Sequence, residues 1–240
     1  TSAGRVLGLF NMGNMEFEID RAGTSEPSLA DMTTHALHLL ARHPDGFVAM
    51  FEGGRIDHAA HRNDAPATIR DVLAFDEAVG RVLAFAQQNP DTLVIVTADH
   101  ETGGMGLIGN SKTSKEYVGI DLAAMGKAQV SFQKLVADWG KKPSAEQVKA
   151  SVRDGLGVEL TDAEVQTVLD DTLRKLDPAN YTYPYLHSLA FVLRPYWRVG
   201  WASQTHTAAP LFAVAHGPGA ERLGGLMHNT ELFTVLRQAL

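Results

Sequence analysis

A chain of 240 residues with 45% hydrophobic composition can bury a sizeable core, as one large domain or two small ones. Its formal charge of −7 and pI near 5.8 speak against a general nucleic-acid binder, which carries a basic face. No apolar run approaches membrane-spanning length, and the lack of cysteine excludes disulfides and thiolate metal sites while leaving the redox compartment open.

The opening TSAGRVLGLFNMG has neither the long apolar segment nor the cleavage pattern of a signal peptide. Within it, Arg5 to Phe10 reads as a short buried strand. Pro27 and Ser28 open a helical pattern from Leu29 to about Arg42, stopped by His43-Pro44-Asp45-Gly46. Phe47 to Phe51 reads as the second strand. A long helix follows from about Ala65 to Gln88, with Ile69, Val72, Leu73, Val79, Val82, Leu83 and Ala86 at helical spacing. Asn89-Pro90-Asp91 ends it. Leu93 to Thr97 is the third strand, apolar on both faces as expected inside a parallel sheet covered by helices.

Residues 111–198 differ in character and read as a mainly helical insertion, a possible cap or dimer contact. Helices are predicted from Ser144 to about Leu156 and from Thr161 to Leu176, the second opened by a Thr161–Glu164 capping box. Pro184 and Pro195 are expected to break up an aromatic-rich segment. A fourth strand at Leu211 to Ala215, a Gly217-Pro218-Gly219 turn and a last helix to about Gln238 complete the order. The pattern predicts an α/β class fold, an α/β/α sandwich around a mostly parallel sheet, with residues 1–110 and 199–240 as its core and 111–198 inserted.

Two strands run into ionisable clusters: Glu52, Asp57, His58 and His61 after the second, and Asp99, His100 and Glu101 after the third. In open α/β sheets the carboxyl ends of strands line the ligand crevice, so both clusters are expected at one rim. Asp57 and His61 are four apart and share one side if the chain is helical there. Imidazole and carboxylate without thiolate suit zinc, and carboxylate-rich positions suit magnesium. His206, before the fourth strand, is a third candidate.

The segments FEGGRIDHAAH, VTADHETGG and QTHTAAPLFAVAHGPGA together resemble the later half of the alkaline phosphatase family. The resemblance covers roughly residues 28–110 and 199–240. It implies metal-dependent phosphomonoester hydrolysis through a phosphoserine, on a site of two zinc ions and one magnesium. It assigns Asp57, His61 and His206 to the first zinc, Asp99 and His100 to the second, and Glu52 to the magnesium. His58 falls near the phosphate or its bound water. Glu101 and Arg55 are read as structural or rim residues, and His35, His38, His43, His187, His216 and His228 receive no ligand role. Three divalent ions opposite Glu52, Asp57 and Asp99 give a positive local field on an acidic chain. The resemblance also implies a periplasmic or secreted home and a homodimer.

The family's nucleophilic serine has no counterpart before Glu52, where Ser2, Ser25 and Ser28 lack its Asp-Ser context. The chain is therefore expected to supply the C-terminal set of ligands, to need the N-terminal part of the same enzyme as its partner, and to be inactive alone. The alternatives are a phosphodiesterase or sulfatase of the same superfamily, or a non-catalytic metal-binding half-domain.

Overall fold

The computed structural model describes residues 4–113, 116–118, 122–179 and 182–239. In chain order, a short helix α1 (Glu18–Arg21) precedes α2 (Leu29–Leu40), α3 (Arg55–His61) and the 24-residue α4 (Ala65–Gln88). The ladder segments β1 (Val94–Val96), β2 (Glu101–Thr102), β3 (Gly106–Leu107), β4 (Asn110–Thr113) and β5 (Glu116–Val118) follow. Next come α5 (Leu122–Met125), α6 (Phe132–Trp139), α7 (Ala145–Leu156), α8 (Asp162–Leu169), α9 (Thr172–Leu176) and α10 (Leu186–Trp197). The chain closes with β6 (Val199–Gly200), β7 (His206–Thr207), β8 (Val214–His216), a 3-10 turn at Ala220–Arg222 and α11 (Glu231–Ala239).

Helix starts follow local chemistry. The Ser28 hydroxyl accepts from the Asp31 backbone N–H while the Asp31 carboxylate accepts from the Ser28 N–H, opening α2 with a capping box. Thr161 and Glu164 do the same for α8, as expected. The predicted helix from Thr161 to Leu176 is, however, broken. Asp171 takes a left-handed conformation with φ of 48° and separates α8 from α9. Pro195 does not interrupt its segment either. It sits in the last turns of α10, which ends at Arg198 in a left-handed conformation. Tyr181, within the aromatic-rich stretch, lies outside the described residues.

The ladders differ from the expected parallel sheet. Among the described residues they are four antiparallel pairs: β1 with β8, β2 with β7, β3 with β6 and β4 with β5. Arg5–Phe10 and Phe47–Phe51 form no ladder. Leu7, Leu9 and Met50 are 82%, 81% and 86% exposed, so the burial expected for these two segments is corrected. The reason is physical: an extended segment becomes a buried strand only with neighbours on its edges and faces, and no described residues supply them.

The largest core lies elsewhere. It joins the insertion's helices through Phe132, Leu156, Leu189, Leu193 and Trp197, and reaches Ala65 at the start of α4. Leu186, Leu189, Leu193 and Trp197 fall on one stripe of α10, with Phe132 stacked on Trp197 at 6.0 Å between ring centroids.

Buried carboxylates seat the insertion on α1 and on the start of α4. Asp64 caps α4 by accepting from Ala67 N–H at 3.1 Å, and its other oxygen accepts from Phe132 N–H at 2.6 Å. Asp20 accepts from the neighbouring Ser131 N–H at 3.0 Å. Burial, opposed by the backbone hydrogen bonds, pushes the Asp64 carboxyl up to about 7. Burial likewise pushes Asp71 up to about 7. Between the ordinary aspartate range and pH 7 the folded chain thus holds protons that the unfolded chain has lost, so these groups make stability fall as pH rises through that window. Each contributes at most about 1.4 kcal/mol per pH unit. Urea unfolding between pH 4.5 and 7.5 should show a shallower decline for Asp64→Asn than for the parent, even though the substituted amide has only one acceptor oxygen and lowers stability throughout. Identical slopes for the two proteins would contradict this account of Asp64.

Candidate metal centre

The turn that leaves Phe51 becomes α3 at Gly54, which puts Asp57 and His61 on one face as their spacing predicts. Strand β7 then delivers His206 to that face. The His61 and His206 Nε2 atoms are 3.1 Å apart, and they lie 3.3 and 3.7 Å from one Asp57 oxygen. One ligand atom from each of the three residues lies within 4.8 Å of the others. Donors bound to zinc at about 2.0–2.1 Å in a tetrahedral shell sit roughly 3.3 Å from one another. The observed separations match that edge length, and the donor set is the one zinc takes in the absence of thiolate, so the residues fit the ion.

Hydrogen bonds prepare these donors. The His61 Nδ1 atom is 2.6 Å from the Gln204 carbonyl oxygen, which can only accept, so Nδ1 carries the proton and Nε2 presents its lone pair to the cluster. Thr102 donates its hydroxyl hydrogen to the clustered Asp57 oxygen at 2.6 Å. Having one hydrogen, that hydroxyl presents a lone pair to His100 Nδ1 at 3.2 Å. The proton of a neutral His100 is thereby held on Nδ1. Its Nε2 lone pair then faces the Asp99 carboxylate at 3.2 Å, an arrangement satisfied by a cation or an added proton.

The two sequence clusters do meet. The His100 ring stacks on His206 with centroids 3.5 Å apart and planes at 19°, so the Asp99–His100 pair borders the first cluster. Asp99 itself is largely exposed. Among the described residues only Asp57, His61 and His206 form a group of three, so Asp99 with His100 stands as a pair and Glu52, exposed at the end of its segment, as a single carboxylate. The His58 ring turns instead to Arg55, 3.2 Å away, and burial and then Arg55 hold its pKa below the usual histidine range.

Glu101 has a structural task, as expected: it accepts from the Gly104 N–H and from the Thr207 hydroxyl, tying the tight turn at Gly103-Gly104 to β7. Gly103 has φ of 86° and packs so closely on Trp201 that a Cβ would lie 2.6 Å from the indole. This turn fixes the register that sets Thr102 opposite His206. Arg55, also expected to be structural, lies 3.6 Å over the Phe17 ring. Thr102 and Gln204 are the residues that motif reading passed over. The hydroxyl beside Asp99-His100 was a visible signal for the first, whereas Gln204 acts through its backbone and leaves none.

A family model described as Alkaline phosphatase matches residues 1–240. The chain is 30% identical to Alkaline phosphatase 4 of Bacillus subtilis over 236 residues, 98% of this chain and 48% of that protein. The structure of Thermus thermophilus alkaline phosphatase superposes with a TM-score of 0.86 at 36% identity, covering 100% of this chain and 53% of that one. The cold-active alkaline phosphatase of a psychrophilic Shewanella species gives a TM-score of 0.79 at 25% identity, over 98% of this chain and 55% of that one. These neighbours share an α/β fold with the chain, which spans about half the length of the relatives it matches.

Proposed function

Because this chain belongs to the alkaline phosphatase family, we propose that it supplies the C-terminal metal-ligand set of a phosphomonoesterase. The observation that carries the reading is the convergence of Asp57, His61 and His206 at zinc-like separations. Bound zinc supplies Lewis acidity and positive charge for phosphoryl transfer. The chain's own residues prepare for it: Gln204 sets the His61 tautomer, Thr102 fixes the Asp57 carboxylate, and the stacked His100 with Asp99 offers two donors toward the second zinc. Glu52 offers one carboxylate toward magnesium. The serine nucleophile and the remaining ligands are assigned to a complementary N-terminal part of the enzyme, so the chain is expected to be inactive alone.

Two features support that partner. The extended segments 5–10 and 47–51 carry exposed apolar side chains and no ladder. In addition, an apolar groove of about 540 Å³ runs between α4 and the β1–β8 ladder, lined by Val72, Phe75, Val79, Leu83, Val94 and Val214. Strands of the complementary part would bury these side chains and pair the open edges, and would thereby complete the expected sheet. No helix among the described residues is long and apolar enough to cross a membrane. Membership of the family supports a periplasmic or secreted home and a homodimer as part of the same proposal.

The test is turnover. The purified 240-residue chain, loaded with zinc and magnesium, should not hydrolyse p-nitrophenyl phosphate, and the chain joined to its N-terminal part should. Robust turnover by the chain alone would overturn the need for a partner. Faster hydrolysis of diesters or sulfate esters by the joined enzyme would favour the superfamily alternatives.

A further inference from the structure

Helix α3 carries two of the three converging donors but has only seven residues, too short to be stable by itself. Its geometry must be imposed from outside, chiefly at its last carbonyls, which lack intrahelical donors. Ala59 O accepts from Arg62 and Asp64 N–H, and Ala60 O from Asn63 N–H, all local contacts. The other two carbonyls of the final turn are held differently. His61 O lies 3.0 Å from Nε2 of His187, and His58 O accepts from the Arg62 guanidinium at 2.6 Å.

Both of these contacts lead to the start of α10. His187 is buried in its first turn at 2% exposure, and because a carbonyl only accepts, His187 Nε2 is the donor. The Arg62 guanidinium lies 4.6 Å over the Tyr183 ring, just before α10. The turn is itself clamped. Tyr185 is left-handed, with φ of 63°, and the buried Asp171 accepts from Tyr185 N–H and Ser188 Oγ, both at 3.2 Å. Helix α10 then runs into β6 and on to Gln204, whose carbonyl accepts the hydrogen bond from the His61 ring N–H, and to His206. One continuous stretch therefore holds His61 by its backbone oxygen and by its ring, and brings the third donor.

The geometry points to His187 as a positioning residue for the candidate zinc ligand His61, and to the last helix of the 111–198 insertion as scaffold of the metal centre. This inference rests on the zinc reading above. It gives the insertion a task other than a cap or a dimer contact, through a histidine that carries no ligand role of its own.

The experiment measures zinc affinity of the full 240-residue chain by competition with a chelating indicator. It compares the parent with His61→Ala, His187→Phe, which keeps ring volume but loses the donor, and His187→Gln, which keeps a donor. Removing an outer hydrogen-bond partner of a ligand typically weakens metal binding about 10- to 100-fold, and His187→Phe is expected in that range. His187→Gln should recover most of the loss. A parent that binds no zinc, or His61→Ala that binds as the parent does, defeats the zinc reading itself. Parent and His61→Ala behaving as expected while His187→Phe binds like the parent defeats only the role of His187. If His187→Phe does not fold, the unmutated chain decides by NMR. Coupling is reciprocal, so zinc should slow solvent exchange of the His187 Nε2 proton by about tenfold. Unchanged exchange would overturn the inference.

Discussion

His206→Ala is expected to weaken zinc binding by the 240-residue chain by about 100-fold or more, because loss of a direct donor should exceed the roughly 10- to 100-fold cost of losing an outer partner. Asp57→Ala should match it. The two replacements act on opposite sides of one cluster, in which His206 Nε2 lies 3.7 Å from Asp57 and 3.1 Å from His61. Asp57→Ala has a further effect, since Thr102 then loses the carboxylate that accepts its hydroxyl hydrogen bond, 2.6 Å away, and with it the constraint on the His100 tautomer. The affinity of the Asp99–His100 pair for zinc should therefore also fall in Asp57→Ala, because His100 Nε2 is then free to take the proton that its tautomer withholds. Chelator competition gives the affinities. Binding by His206→Ala within experimental error of the parent would contradict the assignment.

Phe132→Ala should be the most destabilising single change in the insertion. Its side chain is fully buried, stacks on Trp197, and follows the seat that Asp20 and Asp64 make for the start of α6. Removing a buried phenylalanine costs about 3–5 kcal/mol, from lost burial and from the cavity left behind. In a chain of this size that lowers Tm by roughly 10 °C. Thermal unfolding measures it, with Phe233→Ala as the comparison: that side chain is 66% exposed on α11 and its removal should change Tm little. A Tm for Phe132→Ala close to that of the parent would show that this core does not hold the insertion in place.

Local signals in the sequence proved informative where the governing forces were local. Apolar spacing gave α2 and α4 nearly to the residue, the Thr161–Glu164 pair opened α8, and the four-residue spacing of Asp57 and His61 placed both on one face of α3. The break at Asp171 was invisible. It answers to Tyr185, Ser188 and Arg174, which that carboxylate serves in three dimensions. Strand order was equally hidden, because an apolar run such as Phe47–Phe51 states only that it needs neighbours, not which or where. At the site, motif residues were readable as residue types. What holds them was not: a backbone carbonyl at Gln204, a hydroxyl at Thr102 and a buried imidazole at His187 become meaningful only by proximity.

The central claim is that Asp57, His61 and His206 together hold zinc, and X-ray absorption at the zinc edge of the chain loaded with one equivalent tests it most directly. The account predicts a four-coordinate shell of nitrogen and oxygen at about 2.0–2.1 Å, with outer-shell scattering from two imidazoles that falls to one in His206→Ala. A six-coordinate oxygen shell without imidazole scattering, unchanged by that substitution, would contradict it.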